Sequence, residues 1–166
     1  MISIVEIKNN QCVYPIFKNG RTSIVNYAKE NKCRYLFDKQ INRVDNIIIF
    51  LRDPKERFIS GVHSFIEIEK KNNYGKLDYD SVLFLIEKHN FLNEHFESQI
   101  VWLKKLYKFY KKDVEFYNVS RINDFIPNRD RPAIPDLSNK QKQKIEKIIP
   151  DLSKDYALLE LFENKR

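Results

Sequence analysis

Ile47-Ile48-Ile49-Phe50-Leu51 is the stretch that most constrains the fold. Asp45-Asn46 precedes it and Arg52-Asp53-Pro54 ends it. The run is too short for a helix and rich in β-branched side chains. It shows no polar alternation, so neither face is built for water. Such a segment reads as a central strand buried on both faces, the signature of a parallel sheet. Parallel strands need crossover connections, normally helices, and these cover both faces of the sheet.

The rest of the chain fits that frame. Ile2–Ile7, Gln11–Phe17, Tyr35–Phe37 and Glu115–Val119 read as further strands. Ile24, Tyr27 and Ala28 follow Thr22-Ser23 at helical spacing, with one of the hydroxyl residues placed to start the helix. Pro54, with Asp53 as cap, opens a helix reaching about Lys70, along which Phe58, Val62, Phe65 and Ile66 recur. Tyr79–Lys88, Glu97–Tyr110 and a short Ile122–Phe125 segment are the next helices. One more starts at Ser138 and stops before Pro150, and a last one starts at Asp151 or Ser153. Lys70–Lys76 and Pro127–Pro135 read as loops. The expectation is one domain over residues 1–166, a three-layer α/β/α fold with a mostly parallel central sheet.

Charge narrows the partners. The net charge is +7, which favours an anionic ligand without choosing among nucleotides, nucleic acids, acidic sugars and membrane surfaces. Cys12 and Cys33 are the two cysteines, too few for a disulfide framework or a metal cage, and are expected as reduced, buried thiols. No window approaches a membrane span and the amino terminus lacks a signal-peptide pattern, so a soluble, cytoplasmic protein without stable membrane insertion is expected.

Two stretches carry chemistry. In Val13–Tyr27, an apolar run meets Lys18-Asn19-Gly20-Arg21-Thr22-Ser23 and continues as helix. Strand, tight turn and helix is the geometry of an anion-binding loop: unbonded N–H groups and the helix dipole point at one spot. Lys18 adds a full charge, Thr22 and Ser23 add hydroxyls, and Gly20 lets the backbone come close. The order Gly-Lys-Ser/Thr of a nucleoside-triphosphate loop is not met, because the lysine comes first. In the second stretch, the buried strand delivers Arg52 at its carboxyl end, where ligands bind in open α/β sheets. Ser60, on the following helix, is placed to share an anion with Arg52. Arg57 reads as structural, pairing with Asp53 or Glu56, and Gly61 as allowing close packing.

"FKNGRTS" and "RDPKERFISG" together resemble the sulfotransferases that use PAPS (3′-phosphoadenosine-5′-phosphosulfate), especially the branch acting on carbohydrates. Asn93–Leu103 is similar to a later segment of that family, with Phe96 where tryptophan is usual; "EFYNVSRINDF" and "LSKDYALLELF" resemble its closing elements. The resemblance runs in order from about Val13 to the end of the chain. It implies a sulfotransferase fold of the P-loop NTPase type and transfer of a sulfuryl group from PAPS to a hydroxyl acceptor, most naturally on a carbohydrate. Lys18, Asn19, Gly20, Arg21, Thr22 and Ser23 would then hold the phosphosulfate, and Arg52 and Ser60 the 3′-phosphate. Arg21 departs from the small residue common at its position. Lys18 would stabilise the leaving phosphate, and either His95 or His63 would act as base. No metal and no nucleic-acid partner is expected; the acceptor and the oligomeric state stay open. Arg129 and Arg131 are candidates to close over the nucleotide or meet an acidic acceptor. Trp102 reads as core, and the lysines from Lys104 to Lys112 as a solvated face or a path for an acidic polymer. The alternatives are a nucleotide kinase or NTPase, and a non-catalytic binder of nucleotides or nucleic acid.

Overall fold

A computed structural model of the chain describes residues 2–8, 11–16, 18–71, 77–89, 91, 93–127, 136–148 and 153–163. Arg129 and Arg131 lie outside the described residues. Five strands form one sheet: β1 (Ser3–Lys8), β2 (Gln11–Val13), β3 (Arg34–Phe37), β4 (Ile47–Leu51) and β5 (Glu115–Asn118), in the order β3-β1-β2-β4-β5. Among the described residues six helices accompany them: α1 (Arg21–Glu30), α2 (Pro54–Lys71), α3 (Tyr79–His89), α4 (Gln99–Tyr107), α5 (Asn139–Ile148) and α6 (Ser153–Glu163). Short 3-10 segments follow β3 (Asp38–Arg43) and β5 (Val119–Asp124).

The sheet is mixed, not mostly parallel. β1 pairs antiparallel with both β2 and β3, whereas β4 pairs parallel with β2 and β5. The reason is local. Only two residues separate β1 from β2, and a connection that short can only return antiparallel. β1 is the one reversed strand; β2, β3, β4 and β5 share a direction, so their carboxyl ends share one edge.

β4 is buried at all five positions. Ile47, Ile49 and Leu51 pack with Ile4, Cys12, Tyr14 and, from α4, Leu103 and Leu106. Ile48 and Phe50 point the other way, packing with Val5, Val13 and, from α1, Ile24 and Ala28. The period of two that the sequence hides in a uniformly apolar run is thus present in space. A third cluster joins α2, α3 and α5 through Phe58, Val62, Ile66, Val82, Leu83 and Ile145. Cys12 and Cys33 are both free thiols, and burial pushes the Cys12 thiol up to about 11. Among the described residues no helix is long and apolar enough to cross a membrane.

The connections leaving β2 and β4 diverge. From β2 the chain runs through α1, on one face, to β3 at one end of the sheet. From β4 it returns through α4, on the opposite face, to β5 at the other end. Neighbouring parallel strands whose crossovers part in this way leave a crevice between their carboxyl ends, the place where open α/β sheets bind ligands.

Candidate anion site

Both sequence stretches meet at that crevice. After β2, Tyr14 still bonds to β4 (N to Ile48 O, 3.0 Å), but Pro15 has no N–H to give and the ladder stops. The chain then turns through Lys18 (φ 63°) and Gly20 (φ 81°) into α1. The N-cap is Gly20, not Thr22 or Ser23, which sit inside the first turn. The positive φ favours glycine, and a Cβ at Gly20 would stand 2.3 Å from Ile122 Cδ1, so the end of that side chain would also have to move. The left-handed conformation at Lys18 costs a non-glycine residue about 1–2 kcal/mol. A cost of that kind is characteristic of functional sites.

Asn19 fixes the turn. It is 1% exposed, and its Nδ2 donates to Phe50 O at 2.8 Å and to Gln99 Oε1 at 2.5 Å. Both partners are acceptors, which sets the amide's orientation. Its backbone N–H donates to Ile16 O at 3.2 Å, so that amide is engaged in the turn itself. The first intrahelical bond runs from Ile24 N to Gly20 O. The amides of Thr22 and Ser23 precede it, in the first turn where helix geometry supplies no intrahelical acceptor. Thr22 is exposed and Ser23 half-buried.

Arg52 follows β4 and is held by its own backbone. Its N–H donates to Gln99 Oε1 at 3.0 Å, and its carbonyl accepts from Gln99 Nε2 at 2.9 Å. Its guanidinium reaches Lys18 O (Nη1, 3.4 Å) and Glu56 Oε2 (Nε, 3.4 Å). Gln99 is fully buried and is in turn fixed by Asp155, the buried carboxylate of α6. Asp155 accepts from Gln99 N (2.8 Å), Ile100 N (3.0 Å) and Ser98 Oγ (2.6 Å), a cap on α4 supplied by another helix. The sequence reading missed both Gln99 and Asp155 as parts of the site. Gln99 directly follows Ser98, the N-cap of α4, and that adjacency is the weak signal it left.

The Lys18 ammonium turns inward and donates to Ser64 Oγ on α2. Ser64, missed in the sequence, lies one turn beyond Ser60, which is half-buried on the same helix. Burial, then Arg52 and Arg57, pull the Lys18 pKa below its ordinary value. Arg57 is structural, as the sequence suggested. It is 1% exposed, and its Nη1 donates to Glu97 O. Burial lowers its pKa to about 10, opposed by Asp155 and Glu97, and it stays charged at neutral pH. Lys18 and Arg52 thus border the crevice, Arg52 already pairing with Glu56, while Arg57 is buried and acts on Lys18 through its charge.

The two histidines part company. His63 stacks on Tyr79 of α3, with ring centroids 6.2 Å apart. His95 stands close enough to Lys18 and Arg21 for both to act on its titration. Asn93 Oδ1 accepts from His95 N at 3.0 Å and lies 2.6 Å from His95 Nδ1. The backbone N–H can only donate, so the Asn93 atom is an acceptor and Nδ1 must carry the proton. The lone pair of the neutral ring is then on Nε2. Burial first, then Lys18 and Arg21, lower the His95 pKa against the opposing pull of Glu94. Gly61 seats this segment: a Cβ there would come within 2.2 Å of His95 O. The approach is of helix to loop.

Comparisons with protein families, with curated proteins and with solved structures yield no match for this chain.

Proposed function

We propose that this chain transfers a sulfuryl group from PAPS to a hydroxyl acceptor on a carbohydrate, on a three-layer fold of the P-loop type. The observation that carries the reading is the turn at Lys18: a strained, half-buried ammonium pressed by Arg52 and Arg57, beside the start of α1, at the sheet's switch point. The donor set fits a phosphosulfate. It combines the Lys18 and Arg52 cations, which are strong donors, with the start of α1 and the hydroxyls of Thr22 and Ser23, and Gly20 opens the helix start. In the direction of reaction, His95 Nε2 takes the acceptor's proton. The acceptor oxygen bonds to sulfur as the bond from sulfur to the bridging oxygen breaks, and the electron pair stays on the phosphate. Lys18 stabilises the charge that grows there. A correctly placed base contributes roughly 10²–10⁴-fold. Arg52, with Ser60, is assigned to the 3′-phosphate.

The test is nucleotide selectivity. Arg52→Ala should weaken binding of 3′-phosphoadenosine-5′-phosphate by about tenfold or more, the worth of one charge-assisted hydrogen bond, and leave AMP nearly unchanged. Equal losses for both nucleotides would remove Arg52 from the 3′-phosphate.

A further inference from the structure

A cleft of about 510 Å³ opens beside the anion site, on the same edge of the sheet. Arg21, the first residue of α1, and Glu94, the neighbour of His95, lie on its wall. Trp102 and the exposed Phe109 give it aromatic surface, with the buried Tyr14 behind, and Lys105 and Lys108 line it from α4 and the residue just after. Within the cleft, three cationic side chains face one carboxylate. The aromatic wall is rigid: Tyr14 Oη donates to Trp102 O at 3.2 Å, and Lys105 Nζ stands 4.7 Å above the Trp102 ring while also meeting Glu97 Oε2 at 2.7 Å.

We infer that this cleft binds a carboxylated or sulfated oligosaccharide, the acceptor whose hydroxyl is presented to His95. The inference rests on the transfer reading above. Three features select this chemistry. The cations answer acidic groups on the sugar. The Trp102 ring and the exposed Phe109 ring give flat apolar surface for sugar faces. Glu94 accepts from sugar hydroxyls, whereas it repels the unbroken phosphates of a nucleic-acid strand, which offer no such donors along the backbone. Position matters as much as composition. Arg21 belongs to the anion loop and Glu94 adjoins the base, so an occupant of the cleft ends where donor and base meet. The arginine at position 21 thereby has a use: it faces the acceptor cleft at the mouth of the loop.

Trp102 is the chain's single tryptophan, so its fluorescence reports directly on the cleft. The experiment titrates the whole protein with an oligogalacturonide, a neutral maltooligosaccharide of equal length and an oligothymidylate, with no nucleotide donor present. The oligogalacturonide should shift Trp102 emission saturably and the neutral sugar should not. Lys108→Glu, which reverses an exposed charge remote from the core, should weaken the acidic sugar about threefold. Equal binding of both sugars, tighter binding of oligothymidylate, or no effect of Lys108→Glu would each overturn the inference. In parallel, 3′-phosphoadenosine-5′-phosphate is tested for thermal stabilisation. Acidic-sugar binding without that stabilisation upholds the cleft and removes the transfer reaction; stabilisation without acidic-sugar binding does the reverse.

Discussion

Replacing Gln99 by leucine asks whether one buried amide holds the anion site together. The two side chains have similar volume, so the change leaves little cavity and isolates the polar loss. Gln99 ties three groups from two distant parts of the chain: the N–H and carbonyl of Arg52, and the amide of Asn19, eighty residues away in sequence. Asn19 keeps its bond to Phe50 O, so the full loss falls on the two backbone groups of Arg52. A buried polar group left without a partner costs about 1–3 kcal/mol, and a weakened neutral bond about 0.5–1.5. The Arg52 groups are partly buried, which places the total near 3–4 kcal/mol on the same scale. That is a large fraction of a typical domain stability of about 5–15 kcal/mol. Urea unfolding followed by far-ultraviolet dichroism measures it as a shift in midpoint at unchanged slope. The site should suffer too, because Arg52 and the Lys18 turn lose their common anchor. Binding of 3′-phosphoadenosine-5′-phosphate should weaken by more than tenfold in protein still folded at low temperature. A destabilisation under about 0.5 kcal/mol, the range of ordinary surface changes, together with unaltered binding would refute the reasoning.

Three further outcomes follow from the same geometry. Gly20→Ala should destabilise the fold by about 1–3 kcal/mol, through its positive φ and the clash with Ile122, and should lose nucleotide-induced stabilisation; calorimetry with and without nucleotide measures both. Asp155→Asn should cost about 2–4 kcal/mol, since the amide keeps one acceptor oxygen but turns a donor toward the α4 start; hydrogen exchange should show the first turn of α4 opening. If His95 is the base, transfer must fall as pH drops through its pKa, because only the neutral ring accepts a proton. Burial, Lys18 and Arg21 set that pKa below the ordinary 6.5 in the free protein, so the acid limb of kcat/KM should lie below pH 6.5 and vanish in His95→Gln; a kcat/KM limb above pH 6.5 would exclude His95.

Much of this was legible in the chain itself. The run Ile47–Leu51 announced a strand buried on both faces, and it is one, with Arg52 leaving its carboxyl end. Pro54 and Asp53 opened α2 as read, and Asp53 Oδ1 accepts from Glu56 N at 2.8 Å. The turn at Lys18-Asn19-Gly20 was visible as composition, but its cap was not. Hydroxyls at Thr22 and Ser23 looked like caps because side-chain chemistry is written in a sequence and the sign of φ is not. β1's direction was missed for a similar reason: strands of either sense carry the same alternation, and only the short connector to β2 hinted at reversal. Gln11–Phe17 shortened to three strand residues because Pro15 cannot extend the ladder. The anchoring network was invisible for a different reason. Gln99 meets residues from positions 19 and 52, and Asp155 meets position 99, so no local spacing records either contact. Ser64 escaped because motif spacing pointed one helical turn earlier, to Ser60, while the reach of the Lys18 side chain decides the partner.

The central claim is that the Lys18 turn and Arg52 form one site for a nucleotide bearing both a 5′-phosphate and a 3′-phosphate. The most direct measurement is thermal stabilisation of the unmodified protein by 3′-phosphoadenosine-5′-phosphate, compared with AMP and with ATP plus magnesium. Selective stabilisation by the bisphosphate is expected, growing with its concentration as binding to the folded state requires. No stabilisation by any of the three, or a preference for ATP with magnesium, would contradict the account.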